Sequence, residues 1–342
     1  MASKATIERP ETAIPIEKDP DILAAAARLA GEDLCSVADL SSAEVRAILK
    51  LGHDVKRNPR EYRHALDAKQ MVLMFEKASL RTRLAFETGI NTLGGNAIFV
   101  DHTRSPLGER EGVADVARNV ERWVDVIVLR TYAHDTITEM AANSRVPVIN
   151  ALSDFEHPCQ ALADFMTLQE HFGSAAGLNF TYVGDGNNVC HSLMLTGAQL
   201  AVNVTVATPR GYSPDIEIVT LARDIAQVNG CEIRLLQDPQ LAVEGADAVY
   251  TDVCVSMGFE HESTKREPIF RPFQVNEALM RKAAPHAVFM HCLPARRNAE
   301  VTDEVLDGPQ SIVFDQAENR MHCQKALLLL LLGGLANTAS FQ

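Results

Sequence analysis

The residues best suited to chemistry in this sequence include Ser79, Arg81 and Thr82, which follow an apolar run ending at Phe75. A helical pattern begins at these residues, so a hydroxyl group would lie at a helix N-terminus, where unpaired backbone N–H groups and the helix dipole favour an anion. The planar guanidinium of Arg81 matches phosphate oxygens two at a time. The segment is not a Walker A loop, since G-x-x-x-x-G-K-[ST] is absent. It predicts a phosphate site, and an ordinary helix cap with solvated arginines is the alternative.

Two further segments place hydrogen-bonding side chains at or just after the ends of apolar runs. Arg130 ends one such run, although a lone arginine is more often part of a surface ion pair. His157 opens a helical segment and Gln160 follows three residues later, so the two side chains share one helix face. Together they are suited to a carbonyl or an amide group. A histidine that only caps the helix is the alternative.

The later apolar runs end in carboxamides, an acid and a His-Cys pair. Residues 184–188 read Gly-Asp-Gly-Asn-Asn, which resembles the G-x-G-x-x-G dinucleotide pattern but has Val189 in place of the third glycine. Asp252 suits an ammonium group, with a helix cap as the alternative, and residues 256–258 read as a loop able to close. His291 and Cys292 suggest a metal or a nucleophile, but no other ligands stand at zinc-like spacing, so we predict no metal.

The hydrophobic pattern predicts the elements that position these groups. Short apolar runs alternate with amphipathic stretches, which is typical of parallel α/β sheets covered by helices. The predicted strands lie at residues 71–75, 97–100, 124–129, 146–149, 179–183, 202–206, 232–235, 246–251, 287–290 and 312–314. The clearest helical segments lie at residues 42–56, 82–93, 113–122, 159–171, 189–200 and 318–332. Because ten strands in one sheet would be unusual, we predict two doubly wound parallel-sheet domains joined by interdomain helices.

The predicted domain organisation has four parts. Residues 1–35 form an extension with one helix, residues 36–154 a first domain, residues 155–318 a second domain, and residues 319–342 a C-terminal helix that packs back on the first domain. In such sheets the chemistry lies at the carboxyl ends of the strands. The side chains singled out above cluster at those ends.

Composition and charge restrict the class of protein. The chain has 342 residues, of which 46% are hydrophobic and 23% charged, as in a globular rather than a disordered protein. A formal net charge of −13 argues against a nucleic-acid partner. The seven cysteines form no C-x-x-C pair, which fits a reduced compartment. The acidic N-terminus does not read as a targeting peptide, and the longest apolar run, 326–332, is too short to span a bilayer. We therefore expect a soluble cytoplasmic protein without a membrane partner.

Taken together, the segments resemble the aspartate/ornithine carbamoyltransferase family over residues 35–332. The S-x-R-T-R motif at residues 79–83 and the H-P-x-Q motif at residues 157–160 mark the family generally. The D-x-x-x-S-M-G motif at residues 252–258 and the H-C-L-P motif at residues 291–294 resemble the ornithine branch, because the aspartate enzymes typically have H-P-L-P. Residues 184–188 and 317–320 stand in the family's order as well.

The resemblance implies a reaction, a set of contacts and an assembly. Carbamoyl phosphate would bind to the first domain and L-ornithine to the second, giving L-citrulline and phosphate without a metal or an organic cofactor. The implied contacts with carbamoyl phosphate are Ser79, Leu80, Arg81, Thr82, Arg130, His157, Gln160, Cys292, Leu293 and Arg320. The implied contacts with ornithine are Asn188, Asp252, Ser256 and Met257, and the implied catalytic residues are Arg81, Arg130, His157, Asp252 and Cys292. The assembly would be a homotrimer, or a multiple of trimers, with active sites near subunit boundaries.

Two positions depart from the usual pattern of the family. Leu80 replaces the threonine of the commoner S-T-R-T-R form and so removes one hydroxyl from the phosphate site. Pro106 stands where many relatives have a glutamine that assists phosphate binding, and proline has no side-chain or backbone donor.

Other functions remain as alternatives to ornithine carbamoylation. Within the family, the acceptor amine could be putrescine or a modified ornithine. An NAD-dependent dehydrogenase could use the same sheet topology, but the incomplete glycine pattern at residues 184–189 argues against it. A non-catalytic homologue is disfavoured because residues suited to phosphate and residues suited to an amine are both retained.

Overall fold

The structure is a computed structural model that describes residues 19–254 and 263–338. The first sheet has four parallel strands in the order β2-β1-β3-β4. Its strands are β1 Gln70–Phe75, β2 Asn96–Asp101, β3 Val126–Arg130 and β4 Val148–Leu152. The second sheet has five parallel strands in the order β7-β6-β5-β8-β9. Its strands are β5 Asn179–Val183, β6 Asn203–Ala207, β7 Ile233–Leu236, β8 Ala248–Thr251 and β9 Val288–His291. The predicted α/β fold with two parallel sheets is confirmed.

Helices connect successive strands and cover the sheets. The helices of the first half are α1 Pro20–Leu29, α2 Ser42–Arg57, α3 Leu80–Thr92, α4 Val113–Val120, α5 His134–Asn143 and α6 Pro158–Phe172. Those of the second half are α7 Asn188–Gln199, α8 Ile216–Asn229, α9 Pro239–Ala242, α10 Ser263–Phe270, α11 Glu277–Met280, α12 Asp303–Leu306, α13 Val313–Leu331 and α14 Leu335–Thr338. Short 3₁₀ helices lie at Val37–Asp39 and Arg271–Phe273. No helix among the described residues is long and apolar enough to cross a membrane.

The central strands are buried because their apolar side chains face helices on both sides of each sheet. Every residue of β3 and of β8 is buried. One large apolar cluster joins the inner faces of the two sheets, and two smaller clusters lie on the outer faces. Continuous apolar runs without polar alternation are what a strand covered on both faces requires.

Three helices fill the space between the sheets. Helix α6 is buried from Pro158 to Leu168 and packs against α2, α7 and α13. Helix α13 lies against α2, α3 and α6, and its leucine run at residues 327–331 is buried among them. The helices that precede, join and follow the two sheets thus share one core, as predicted for interdomain helices. The domain boundary at residue 154 stays a prediction.

The tenth predicted strand, at residues 312–314, is wrong. Ser311 forms a single bridge with Phe289, and the chain then turns at Ile312 into helix α13, which begins at Val313. Three apolar residues carry no periodicity, so a helix start and a short strand read alike in the sequence. The final helix accordingly begins earlier than predicted.

Candidate active site

A cavity opens at the carboxyl ends of strands from both sheets. It has a volume of about 520 Å³ and is lined by residues that follow β1, β3, β4, β5, β8 and β9. The order of the strands reverses between β1 and β3 in the first sheet and between β5 and β8 in the second. Ligand sites of open α/β sheets lie at such reversal points. The cavity therefore includes the position expected for a ligand site in each of the two sheets.

The structure brings together nearly all of the predicted site residues. Those that line the cavity are Ser79, Leu80, Arg81, Thr82, Arg130, His157, Gln160, Asn188, Asp252, Cys292, Leu293 and Arg320. Ser256 and Met257, together with the predicted loop at residues 256–258, lie outside the described residues. The roles of these residues stay predictions, whereas their convergence is observed.

The anion-facing wall begins at the N-terminus of α3. Ser79 caps this helix, since its Oγ accepts the backbone N–H of Thr82 at 3.3 Å and donates to Thr82 Oγ1 at 3.0 Å. The prediction that a hydroxyl lies at this helix N-terminus is confirmed. Buried Glu76 holds the neighbouring loops, because its carboxylate accepts the N–H groups of Leu107 at 2.9 Å and Tyr132 at 2.7 Å.

Three guanidinium groups face the same cavity. Burial and the nearby Arg320 and Arg81 lower the pKa of Arg130 to about 9. Burial likewise lowers the pKa of Arg320, whose Nη2 donates to Thr82 Oγ1 at 2.9 Å, and the pKa of Arg81. Like charges gathered in a buried site repel one another, so this wall is complementary to a multiply charged anion.

His157 and Gln160 add neutral polar groups beside the arginines. Burial, followed by the charges of Arg320 and Arg130, lowers the pKa of His157 well below its usual value, so its imidazole is neutral at pH 7. Gln160 Nε2 donates to Asp164 Oδ1 at 2.7 Å. Among the described residues, His157 Nδ1 and Gln160 Oε1 are buried without a hydrogen-bond partner. Buried polar atoms are normally paired, so these atoms are suited to a polar ligand.

The opposite wall carries the acid and the thiol. Asp252 Oδ2 accepts from Asn187 Nδ2 at 2.8 Å, and Asp252 Oδ1 accepts from Cys292 Sγ at 3.0 Å. Burial, followed by the charge of Asp252, raises the pKa of Cys292 well above its usual value, which keeps the thiol protonated. Asn188 donates to the Ser153 carbonyl at 2.6 Å, which fixes its side chain at the start of α7.

The turn after β9 positions Cys292 and Leu293. Leu293 has a positive φ of 55°, and its N–H donates to His291 Nδ1 at 2.8 Å. His291 Nε2 lies 3.2 Å from Glu300 Oε1, so the hydrogen-bond network assigns the proton to Nε2. The pairing of His291 with buried Glu300 makes it part of the framework of the turn.

A metal ligand set is the other arrangement that the second wall allows. Ligand atoms of Asp252, His291 and Cys292 lie within 4.8 Å of one another, which the sequence spacing did not predict. A bound cation would require the thiolate of Cys292, whereas burial favours the thiol. Both nitrogens of His291 and both carboxylate oxygens of Asp252 also have hydrogen-bond partners within the protein. The prediction of no metal stays a prediction.

Sequence analysis missed an ion pair that lines the cavity. The Arg266 guanidinium is paired with Asp185, donates to the Cys254 carbonyl at 3.1 Å and lies 5.0 Å from the centre of the Tyr212 ring. Arg266 stands in a run of charged residues that resembles an exposed helix surface, so its sequence carries no signal of this contact. Asp185 belongs to the turn that was singled out, but its partner could not be read from the sequence.

The two departures from the family pattern differ in position. Leu80 is the first residue of α3, and its side chain is 71% exposed at the rim of the cavity. Pro106 is half-buried and is not among the cavity-lining residues of the described chain.

The glycine turn after β5 differs from a dinucleotide loop. A Cβ atom on Gly186 would lie 2.2 Å from the backbone nitrogen of Pro214, so the turn is packed against neighbouring chain. Asn187 Oδ1 accepts the N–H groups of Val189 and Cys190, each at 3.1 Å, and so caps α7. The space beside the second glycine, which a dinucleotide loop leaves for the pyrophosphate, is filled here by the backbone of residues 213–214.

These features define a class: a two-sheet α/β protein with a cleft that has guanidinium groups on one wall and an acid with a thiol on the other. Two family models match the chain. The carbamoyl-P binding domain of aspartate/ornithine carbamoyltransferase matches residues 32–170, and the Asp/Orn binding domain matches residues 176–331.

Curated relatives and solved structures agree with the family models. The chain is 50% identical to ornithine carbamoyltransferase of Shewanella oneidensis over 86% of this chain and 98% of the relative. It is 47% identical to the anabolic ornithine carbamoyltransferase of Pyrococcus furiosus over 90% and 98% of the two chains. The solved Pyrococcus furiosus enzyme superposes with a TM-score of 0.87 over 90% of this chain and 98% of that chain. The chain therefore belongs to the aspartate/ornithine carbamoyltransferase family.

Proposed function

We propose that this protein transfers the carbamoyl group of carbamoyl phosphate to the side-chain amine of L-ornithine, giving L-citrulline and phosphate. One observation carries the proposal: Arg81 and Arg130 from the first sheet, Arg320 from α13 and an acid–thiol pair from the second sheet all face the same cavity. The arginines suit a dianion and the acid suits an ammonium group. The related ornithine carbamoyltransferases described above support the choice of substrates.

The carbamoyl phosphate end uses the first sheet. Arg81, Arg130 and the N-terminus of α3 bind the phosphate oxygens, and the backbone N–H groups there contribute fixed positive dipoles. The neutral imidazole of His157 donates one hydrogen bond to the carbamoyl oxygen, and Gln160 Oε1 accepts from the carbamoyl nitrogen. As the tetrahedral oxyanion develops, His157 and the nearby guanidinium groups stabilise it, since fixed donors act most strongly where charge appears in the transition state.

The ornithine end must supply a neutral amine. A side-chain amine like that of lysine has a pKa near 10.4, so at pH 7 the neutral form is disfavoured by roughly 4.6 kcal/mol. Asp252 orients the amine, and the protonated thiol of Cys292 donates to that carboxylate without adding a second negative charge. The amine attacks the carbamoyl carbon, the C–O bond to phosphate breaks, and the departing phosphate accepts the proton. The two walls also hold the reactants together, which lowers the barrier further.

The acceptor specificity follows from the charges of the second wall. Aspartate would place two carboxylates against Asp252, which is unfavourable. Putrescine and modified ornithines fit the same amine site and are the second candidates. The packing of Gly186 against residues 213–214 removes support for the dehydrogenase alternative.

Citrulline formation with the acceptor varied at fixed carbamoyl phosphate tests the proposal. We expect turnover with L-ornithine to exceed turnover with putrescine, N-acetylornithine and aspartate. A higher kcat/KM for one of the other amines would reassign the acceptor, and no ureido product with any acceptor would refute carbamoyl transfer. NAD-induced thermal stabilisation would favour the dehydrogenase.

We further propose that the active protein is a homotrimer or a multiple of trimers that works in the cytoplasm in arginine biosynthesis. Edge strand β2 and helix α3 pack together and expose apolar side chains, among them Leu80, Leu84 and Ile98, and Leu80 also lines the cavity. Contiguous exposed apolar surface is typical of protein interfaces. The anabolic role rests on the name of the Pyrococcus furiosus relative. A solution mass of three times 37.4 kDa, or a multiple of it, is expected in sedimentation equilibrium.

A further inference from the structure

A buried carboxylate behind the cavity contacts residues that serve both walls. Asp164 lies on α6, is fully buried, and does not line the cavity. Its Oδ1 accepts from Gln160 Nε2 at 2.7 Å and from Gln316 Nε2 at 2.7 Å. One oxygen atom thus joins a side chain of α6 to a side chain of α13.

The two glutamines support different substrate sites. Gln160 lines the cavity on the carbamoyl phosphate side, and the bond to Asp164 fixes which end of its amide faces the ligand. Gln316 Oε1 accepts the backbone N–H of His291 at 3.0 Å, and His291 directly precedes Cys292. Gln316 Nε2 also lies 3.3 Å from the hydroxyl of Tyr250, on strand β8 just before Asp252.

We propose that Asp164 is a positioning residue that sets the geometry of both substrate sites at once, through Gln160 for carbamoyl phosphate and through Gln316 for ornithine. The inference rests on the function proposed above. An amide side chain without a partner can rotate by about 180° and exchange its oxygen for its nitrogen. Without Asp164, Gln160 would be free to present a donor to the carbamoyl nitrogen, and the backbone that carries Cys292 would lose its support.

The raised pKa of Asp164 reflects its complete burial, which agrees with a positioning role. Burial raises the pKa of Asp164 to about 7, although hydrogen bonds from Gln160, Gln316 and Tyr250 and the charge of Arg320 oppose the shift. A carboxyl group placed at this cost of desolvation, with its hydrogen bonds directed at residues of the site, is expected where geometry is under constraint.

Two substitutions at this position separate geometry from simple loss of stability. Asp164→Leu removes both accepted hydrogen bonds. We expect the KM for carbamoyl phosphate and the KM for ornithine to rise together by about tenfold, and kcat to fall by about 10- to 100-fold, because small misplacements of reacting groups are costly. Asp164→Asn keeps a carbonyl oxygen in the same place, so we expect it to recover most of both KM values.

Thr167→Val is the matched control. Thr167 is one turn further along α6, is buried, and accepts Asn319 Nδ2 of α13 at 3.0 Å, so it joins the same two helices through a hydrogen bond that involves neither Gln160 nor Gln316. Asn319 keeps its bond to Glu170 in this variant. We expect Thr167→Val to lower the melting temperature and leave both KM values unchanged.

Two kinetic outcomes would overturn the inference. One is an Asp164→Leu protein with wild-type KM values for both substrates, and the other is an Asp164→Asn protein as impaired as Asp164→Leu. A crystal structure of Asp164→Leu gives a readout that does not depend on activity, since we expect the Gln160 amide to be displaced. If the wild type forms no citrulline, the proposed function fails, whereas an undisplaced Gln160 would refute the positioning role alone.

Discussion

At Cys292, burial and the neighbouring carboxylate of Asp252 act in the same direction on the thiol. Both raise its pKa, and Sγ donates to Asp252 Oδ1 at 3.0 Å. Reactive cysteines lie in electropositive surroundings that lower the thiol pKa. The positive charge of nearby Arg81 favours the thiolate of Cys292, but burial and Asp252 outweigh it and keep the thiol pKa raised. The arrangement therefore disfavours a nucleophilic thiolate and favours a donor that holds the acid in place.

Arg81 is the residue whose loss should affect chemistry most and folding least. We expect Arg81→Ala to lower kcat at least a hundredfold, since removing one fixed donor to a developing oxyanion costs on the order of 3 kcal/mol. Citrulline formation and thermal unfolding measure the two effects. Arg83→Ala is the control, because Arg83 lies on the same helix but pairs with Glu87 at 2.8 Å and stacks on Phe99. Near-normal turnover of Arg81→Ala would contradict its assignment.

Residue types at strand ends could be predicted from the sequence, whereas partners remote in sequence could not. Arg81 and Asp252 were identified because each follows an apolar run, and His157 because it opens a helical segment with Gln160 three residues later. Asp164 and Gln316 were missed because they lie inside helices and are 152 residues apart, so neither pattern nor spacing relates them. Buried polar side chains of this kind are found only when the packing of two helices is known.

At the scale of elements, the parallel topology explains why the site could be found before the fold was known. Parallel strands all place their carboxyl ends at one edge of the sheet, so residues after β1, β3, β5 and β8 converge. Strand β5 was predicted at its observed bounds because it is rich in aromatic and β-branched residues and is followed by a glycine turn. The prediction of a strand at residues 312–314 failed because three apolar residues are too few to show a period, and they form the first turn of a helix that continues with mostly polar residues at 315–320.

The turn after β5 gives a prediction about how an element positions a side chain. In Gly186→Ala the new Cβ would meet the backbone of residues 213–214, so the turn must shift and carry Asn187 away from Asp252. We expect the KM for ornithine to rise by about tenfold and the KM for carbamoyl phosphate to change little. Gly112→Ala is the control, because its Cβ would meet only Asp115 Oδ2 at 4.0 Å. Equal KM values for wild type and Gly186→Ala would show that this turn does not position the amine site.

At the scale of the whole molecule, one core holds both walls of the cleft. Helices α2, α6 and α13 pack together between the sheets, so a change in their packing reaches both substrate sites. The carboxylate of Glu156, just before α6, connects the segment at residues 36–37 to this core. Buried Glu156 accepts from the Ser36 hydroxyl, from the N–H of Val37 at 3.1 Å and from Ser192 Oγ at 3.0 Å. Ser192 Oγ in turn accepts the backbone N–H of His157 at 2.9 Å.

Glu156 makes the stability of the whole chain depend on pH. Burial raises its pKa from 4.5 to about 7, although the three hydrogen bonds oppose the shift. A raised pKa in the folded state means that folding favours the protonated form, so this contribution is complete below pH 4.5 and is lost as the pH rises through 7. The difference corresponds to about 3 kcal/mol in the free energy of unfolding.

Denaturant unfolding of wild type and Glu156→Gln between pH 4.5 and 8 isolates this contribution. Asp33 and Asp164 also have raised pKa values, about 6 and about 7, but both residues are present in both proteins and cancel in the comparison. Glutamine cannot ionise, so we expect the wild type to lose more stability than the variant as the pH rises. Parallel stability curves would mean that the folded protein stabilises the ionised form of Glu156 as well as water does, because its three donors then offset the whole cost of burial.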